Sequence, residues 1–545
     1  MIPFHRLLAL GGLMLAAPAM AQTGPVVNAP SGAVRGASDR GTVVFKGIPY
    51  ARPPIGALRW RPPVAMPRWS RVRDASAFGP ACVQPQSKTP TSVYSPAQPL
   101  PVSEDCLTLN IWTPKNAKNA PVFFWIHGGA LVTGSSREPM YDGKRLAERG
   151  VIVVSINYRL GVLGWLAHPQ LSAESPQHVS GNYGLLDQIA ALQWVRYNIA
   201  AFGGDARNVT IAGESAGGLS VMYLMDSPLA RGLFQKAIAE SAYMISMPDL
   251  KKSVYGAPSG EAMGQLLGGG LQAPDIATLR GMDAQTITDS AAKMGFGPWG
   301  TVDGLVLPMQ MVDAFDQKKQ APVPLLAGFN QGEIRSLMML APKPPATAEA
   351  YETAIRDRYG DLADAFLRLY PAADYKESII ATTRDGLYGW TAERLARKQT
   401  AIGQPAYLYL FDHGYPAMDT AGLHAFHASE LPFVFGTIDV LPPRWPTIPA
   451  TADERAISDA IADYWASFAR TGKPVAANAP AWPAYGNAAN YMHFAATPQP
   501  ETKLMPGMYA LNETVMCRKK ATGVGWNWNV GLAAPKLPDK TAGCD

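Results

Sequence analysis

Val209-Thr-Ile-Ala-Gly-Glu-Ser215-Ala-Gly-Gly-Leu219 joins a β-type run to a small-residue helical run through a single serine. In the pattern G-x-S-x-G, here Gly213-Glu-Ser215-Ala-Gly217, the serine occupies a sharp strand-to-helix turn. The glycines remove Cβ atoms that would collide there, and the hydroxyl is left pointing into a cleft. The same five-residue pattern also describes an ordinary turn, so a nucleophile here needs a base, an acid and an oxyanion hole elsewhere in the chain.

The surroundings of this turn read as a mostly parallel sheet covered on both faces. Short apolar runs at 107–112, 121–126, 151–158, 209–212, 323–327 and 407–411 alternate with helix-like segments. Leu186, Ile189, Leu192, Val195 and Ile199 recur at three- and four-residue steps and predict a helix with one buried face. Residues 32–69 read as an antiparallel lead-in. The Ala-rich intervals 244–301 and 343–403 read as helical excursions that wall a cleft. The tail from Thr514, with Trp526 and Trp528, has no clear place in this scheme.

The chain has 545 residues, 47% of them apolar, enough for a large core. A formal charge of +5, with no dense Lys/Arg run, argues against a nucleic-acid partner. At the N-terminus, His5 and Arg6 precede an apolar stretch that ends in Ala19-Met-Ala21 before Gln22. This reads as a secretory signal over residues 1–21, leaving 22–545 as a single domain that is secreted or periplasmic. The apolar run is shorter than the about 20 residues a membrane helix needs, and no later stretch is long enough for stable membrane insertion.

Export permits disulfides. Of three possible connectivities for four cysteines, the sequence-local one, Cys82 with Cys106 and Cys517 with Cys544, is the expectation. The first bridge would contribute about 3–4 kcal/mol in the chain-entropy picture. No Cys-x-x-Cys or His/Cys cluster points to a metal.

Trp125-Ile-His127-Gly-Gly-Ala130 follows a β-type run and places glycines where backbone N–H groups must approach a developing oxyanion. His127 leads this turn and reads as structural rather than as a base. In this fold the acid and then the histidine follow the serine, which leaves His413, His424, His427 and His493 as candidate bases.

From about Ser31 to Phe494 the chain resembles the type-B carboxylesterases, the α/β-hydrolase family that includes cholinesterases and bacterial para-nitrobenzyl esterases. The matching segments are Phe45-Lys-Gly-Ile-Pro-Tyr-Ala51, Ser103-Glu-Asp-Cys-Leu-Thr-Leu-Asn-Ile-Trp112, Ser180-Gly-Asn-Tyr-Gly-Leu-Leu-Asp187, Phe202-Gly-Gly-Asp205 and the serine turn. The resemblance implies that His427, just before Phe433-Val-Phe-Gly436, is the base, with His424 as its rival. It implies that Glu333, in Gly328-Phe-Asn-Gln-Gly-Glu333-Ile334, is the acid. Gly332 and Ile334 depart from the family pattern and put the local turn in question. Ala130 stands where many relatives carry a third glycine, yet Gly129, Ala130 and Ala216 still provide three N–H donors. Glu214 and Ser241 fall where relatives have groups bordering the triad.

The expected activity is thus a cofactor-free serine esterase acting on small, uncharged apolar or aromatic esters. A catalytically inactive cholinesterase-like binding or adhesion protein, and a lipase working at lipid interfaces, are the alternatives. A cholinesterase is disfavoured because the loop between Cys82 and Cys106 contains Tyr94 but no tryptophan to serve as a cation–π platform. Substrate pockets are expected around 296–301 and between Ser336 and Trp390, where Trp299, Met338, Met339 and Trp390 lie.

Overall fold

The computed structural model describes residues 24–86, 92–538 and 540–544, so the expected signal segment lies outside the described residues. Eleven strands form one sheet: β1 (Ala37–Asp39), β2 (Thr42–Pro49), β3 (Thr108–Pro114), β4 (Ala120–Ile126), β5 (Ile152–Ile156), β6 (Gly204–Glu214), β7 (Lys236–Glu240), β8 (Leu325–Asn330), β9 (Ala406–Phe411), β10 (Asn490–Phe494) and β11 (Pro498–Thr502). Their spatial order is 11-10-9-8-7-6-4-5-3-2-1. The run from β10 to β5 is parallel, and β11, β3, β2 and β1 pair antiparallel at the two edges.

The central strands read as continuous apolar runs because both faces are covered. In β4 the side chains alternate between two cores. Phe124 and Ile126 join Leu185, Ile189, Leu219 and Tyr223 on one face, while Phe123 and Trp125 join Phe435, Ile461, Trp465 and Phe468 on the other. The strand at 236–240 escapes a reading by pattern. Lys236-Ala-Ile-Ala-Glu240 carries two charged ends and two alanines, good helix residues, yet all five positions are buried beside β6.

The principal helices around the site are α1 (Tyr183–Asn198), α2 (Ala216–Asp226), α3 (Trp390–Thr400), α4 (Ala452–Thr471) and α5 (Met508–Ala521). Helix α1 is not buried on a single stripe as its periodicity predicts. Leu186 is only half-buried, whereas Asp187, Gln188, Ala191 and Trp194 are enclosed too, and solvent reaches mainly Gln193, Arg196 and Tyr197. The enclosed Asp187 is held by a charge pair. Arg159, just past β5, donates from its backbone N–H, Nε and Nη2 to the Asp187 carboxylate at 3.0, 2.8 and 2.8 Å. The excursions form helices as expected, and both cysteine pairs form the sequence-local bridges. No helix among the described residues is long and apolar enough to cross a membrane.

Removing one partner of a fully enclosed pair leaves an uncompensated charge. Asp187→Ala is therefore expected to lower the unfolding free energy by about 3–5 kcal/mol in urea titrations. A change below about 0.5 kcal/mol would show that the pair does not hold α1 to the sheet.

Candidate active site

Ser215 stands between β6 and α2 with φ 56° and ψ −120°, a conformation that an L-residue adopts only under constraint. The constraint comes from β4. A Cβ on Gly217 would lie 2.0 Å from the Ile126 carbonyl oxygen, and one on Gly213 would lie 2.5 Å from the Gly217 carbonyl carbon. Only glycines let the helix start this close to the neighbouring strand. The Ser215 N–H donates to the Glu240 carbonyl at 2.9 Å and ties the turn to β7.

The turn after β4 folds over this serine. A Cβ on Gly128 would sit 3.2 Å from the Ser215 Cβ and 2.8 Å from Glu214 Oε2, so the backbone of 128–130 runs directly beside the hydroxyl. Gly129 and Ala130 have φ of 103° and 55°, and Ala216 opens α2 on the other side. His127 is structural. Its Nδ1 lies 2.8 Å from the Gly128 carbonyl, its ring stacks on Tyr158 at 4.6 Å, and burial lowers its pKa to about 4.

Glu333 follows β8 and His427 lies on the loop before Leu431–Phe435. Two contacts zip their loops together: the Gly332 N–H donates to the Ala425 carbonyl at 2.9 Å, and Asn330 Nδ2 donates to the Phe426 carbonyl at 2.9 Å. The departures from the family pattern have local reasons. A Cβ on Gly332 would fall 1.7 Å from the His424 carbonyl oxygen, and Ile334 is fully buried in the core. Glu333 is fully buried, its Oε1 accepts from the Asn330 N–H at 2.8 Å, and its Oε2 bonds His427 Nδ1.

His427 faces a second carboxylate. Glu214 Oε1 lies 3.0 Å from His427 Nε2, an ion pair that lacks aligned hydrogen-bond geometry. Among the described residues, no side chain hydrogen-bonds the Ser215 hydroxyl, a looseness common in unliganded sites. Burial pushes the His427 imidazole down, but the charges of Glu214 and Glu333 and the Glu333 bond outweigh it and hold the pKa up at about 9. Burial raises Glu214 to about 7 against the pull of His427, with the Glu333 charge adding to the rise. Two further buried glutamates surround this group. Glu240 bonds Trp465 Nε1 at 3.0 Å and is raised to about 8 by burial, while Glu430 bonds Asn330 Nδ2 and is driven well above the usual carboxylate range.

The other candidate bases lie elsewhere. Both nitrogens of His424 are taken by Asp419 and Asp412, His493 pairs with Asp412 and Glu501, and His413 pairs with Glu454. Ser241 follows β7, its N–H donating to the Gly328 carbonyl and its hydroxyl without a partner. Pattern reading missed three groups near the imidazole. Tyr94 donates to the His427 carbonyl at 2.9 Å, Tyr388 packs its ring 5.3 Å from the imidazole, and Asn330 braces the acid. Asn330 was visible inside the motif around Glu333, whereas Tyr94 and Tyr388 arrive from distant loops. Trp390 is not a cleft residue. It is buried, donates to Glu513 at 2.7 Å and stacks under Arg394. Met338 and Met339 are exposed.

The sequence profile of the Carboxylesterase family matches residues 23–511. The para-nitrobenzyl esterase of Bacillus subtilis (strain 168) is 37% identical over 477 residues, 85% of this chain and 93% of that protein. The fumonisin B1 esterase of Sphingopyxis macrogoltabida is 36% identical over 503 residues, 88% of each chain. A thermophilic PNB esterase structure superposes with a TM-score of 0.76 at 33% identity, covering 90% of this chain and all of that one. The fold is accordingly the α/β-hydrolase fold.

The double carboxylate clamp has a direct signature. With the imidazole pKa raised, His427 stays protonated above the ordinary histidine range, and loss of one negative charge lowers that midpoint. In an NMR titration of the ring, Glu214→Gln is expected to move the midpoint down by about 1 unit or more. An unchanged or higher midpoint would show that Glu214 does not act on the imidazole.

Proposed function

Because the chain belongs to the carboxylesterase family and is a carboxylic ester hydrolase, we propose that Ser215, His427 and Glu333 carry the reaction, with Gly129, Ala130 and Ala216 as oxyanion donors. The observation that carries this reading is the fully buried Glu333 bonded to His427 Nδ1 beside the strained serine turn. Ser215 Oγ attacks the ester carbonyl while Nε2 of the neutral form of the His427 imidazole takes its proton. Glu333 fixes the ring tautomer and, with Glu214, favours the imidazolium that forms. The negative charge moves onto the carbonyl oxygen, where three preorganised N–H groups replace water. His427 then returns the proton to the departing alcohol. Water, deprotonated by the same imidazole, attacks the acyl-enzyme and releases the acid.

Substrates are proposed to be uncharged apolar or aromatic esters, a reading supported by the relative named for para-nitrobenzyl esters and by the aromatic rings beside His427. The two disulfides support export to an oxidising compartment. Presence of all three catalytic side-chain types supports an enzyme over an inactive binding protein.

With para-nitrophenyl butyrate as substrate, Ser215→Ala is expected to cut kcat by about 10⁴-fold or more, and Glu333→Gln by about 10³–10⁴-fold, with the circular dichroism unchanged. Turnover by Ser215→Ala within about 10-fold of the unmodified chain would sink the assignment.

A further inference from the structure

The family match ends at residue 511, and the chain beyond it packs against residues that neighbour the catalytic group. After α5 the segment 526–530 is held on several sides. The Ser246 N–H donates to the Trp526 carbonyl at 2.9 Å, and the Trp526 ring packs on Tyr255 at 4.9 Å. Lys519, enclosed by the fold, donates to the Asn529 carbonyl and Oδ1 at 2.6 and 3.0 Å, and these bonds tie the turn to α5. The Cys517–Cys544 bridge closes the tail back onto α5.

Two consequences reach the catalytic centre. Trp528 sets its ring 5.2 Å from Trp299 and 6.0 Å from Tyr243; Tyr243 packs on Tyr388 at 6.0 Å, and Tyr388 packs on His427. Tyr243 and Tyr388 are buried, whereas Trp299 and Trp528 are partly buried, so the chain of ring contacts that starts at the imidazole first reaches solvent at the two tryptophans. In addition, Val530 lies against Gly386, where a Cβ would come within 2.8 Å of its Cγ1. Gly386 belongs to the π-helical turn Asp385–Gly389 that carries Tyr388, and such turns recur at functional sites.

We propose that the tail beyond the family match is a specificity element: Trp528, with Trp299, forms an aromatic wall that takes the flat ring of an aryl-bearing ester. The proposal rests on the ester-hydrolase reading of the same cleft. Stacking on the solvent-reaching part of this tilted tryptophan pair favours planar substituents over short alkyl ones. The wall stands out along the rings from His427, so it grips the part of the ester remote from the carbonyl.

The test compares kcat/KM for benzyl acetate against ethyl acetate, and for methyl phenylacetate against methyl butyrate, in the unmodified chain, Trp528→Ala and Trp528→Phe. Trp528→Ala is expected to lower at least one aryl-to-alkyl ratio by about 10-fold, mainly through KM, and Trp528→Phe to keep most of it. Both ratios staying within about 2-fold of the unmodified chain would overturn the wall. Hydrolysis of none of the four esters by the unmodified chain would overturn the ester-hydrolase reading, and the wall with it.

Discussion

The structure depends on how closely α2 is allowed to begin beside β4. The Ile126 carbonyl leaves no room for a side chain at residue 217, and Gly213 and Gly217 press against each other across the turn. That crowding forces Ser215 into φ 56°, a strain of about 1–3 kcal/mol that the surrounding sheet must stabilise. Everything else in the site is placed relative to this point. The 128–130 turn lies on the serine because Gly128 has no Cβ, and Glu214, the last residue of β6, is thrown towards His427 by the same bend.

Around the imidazole the constraint becomes electrostatic. Four buried glutamates, 214, 240, 333 and 430, share a dry region with one histidine. Only Glu333 meets it through a hydrogen bond, and Asn330 braces that carboxylate from the backbone while reaching Glu430 with its side chain. Like charges in a medium of low dielectric cannot all stay ionised. Burial first, and then the neighbouring carboxylates, push Glu214, Glu240 and Glu430 towards their neutral forms. Of the four, Glu214 and Glu333 act on the imidazole through their charge.

Much of this was legible in the residues. The serine turn, the His127-Gly-Gly-Ala130 turn and the mostly parallel sheet follow from local patterns, because each is built from consecutive residues with a steric or periodic requirement. The Glu333–His427 bond could be anticipated only through the family resemblance, since 94 residues separate the partners. The contact of Glu214 with His427, the ring of Tyr388 and the placement of Trp528 were not legible. Each depends on the tertiary meeting of distant loops, which leaves no period or spacing in the chain. The pattern also misled where burial overrode it. Lys236–Glu240 hides a central strand behind alanines and charges, while Trp390, at the border of an expected pocket, lies in the core with Glu513 and Arg394.

The strained turn is proposed to present Ser215 as a nucleophile beneath three N–H donors. The most direct measurement is a crystal structure of the chain after reaction with a fluorophosphonate. The expected result is a covalent bond from phosphorus to Ser215 Oγ, with the phosphoryl oxygen about 2.7–3.1 Å from the N–H groups of Gly129, Ala130 and Ala216. Phosphorus on any other residue, or a phosphoryl oxygen turned away from those donors, would contradict it.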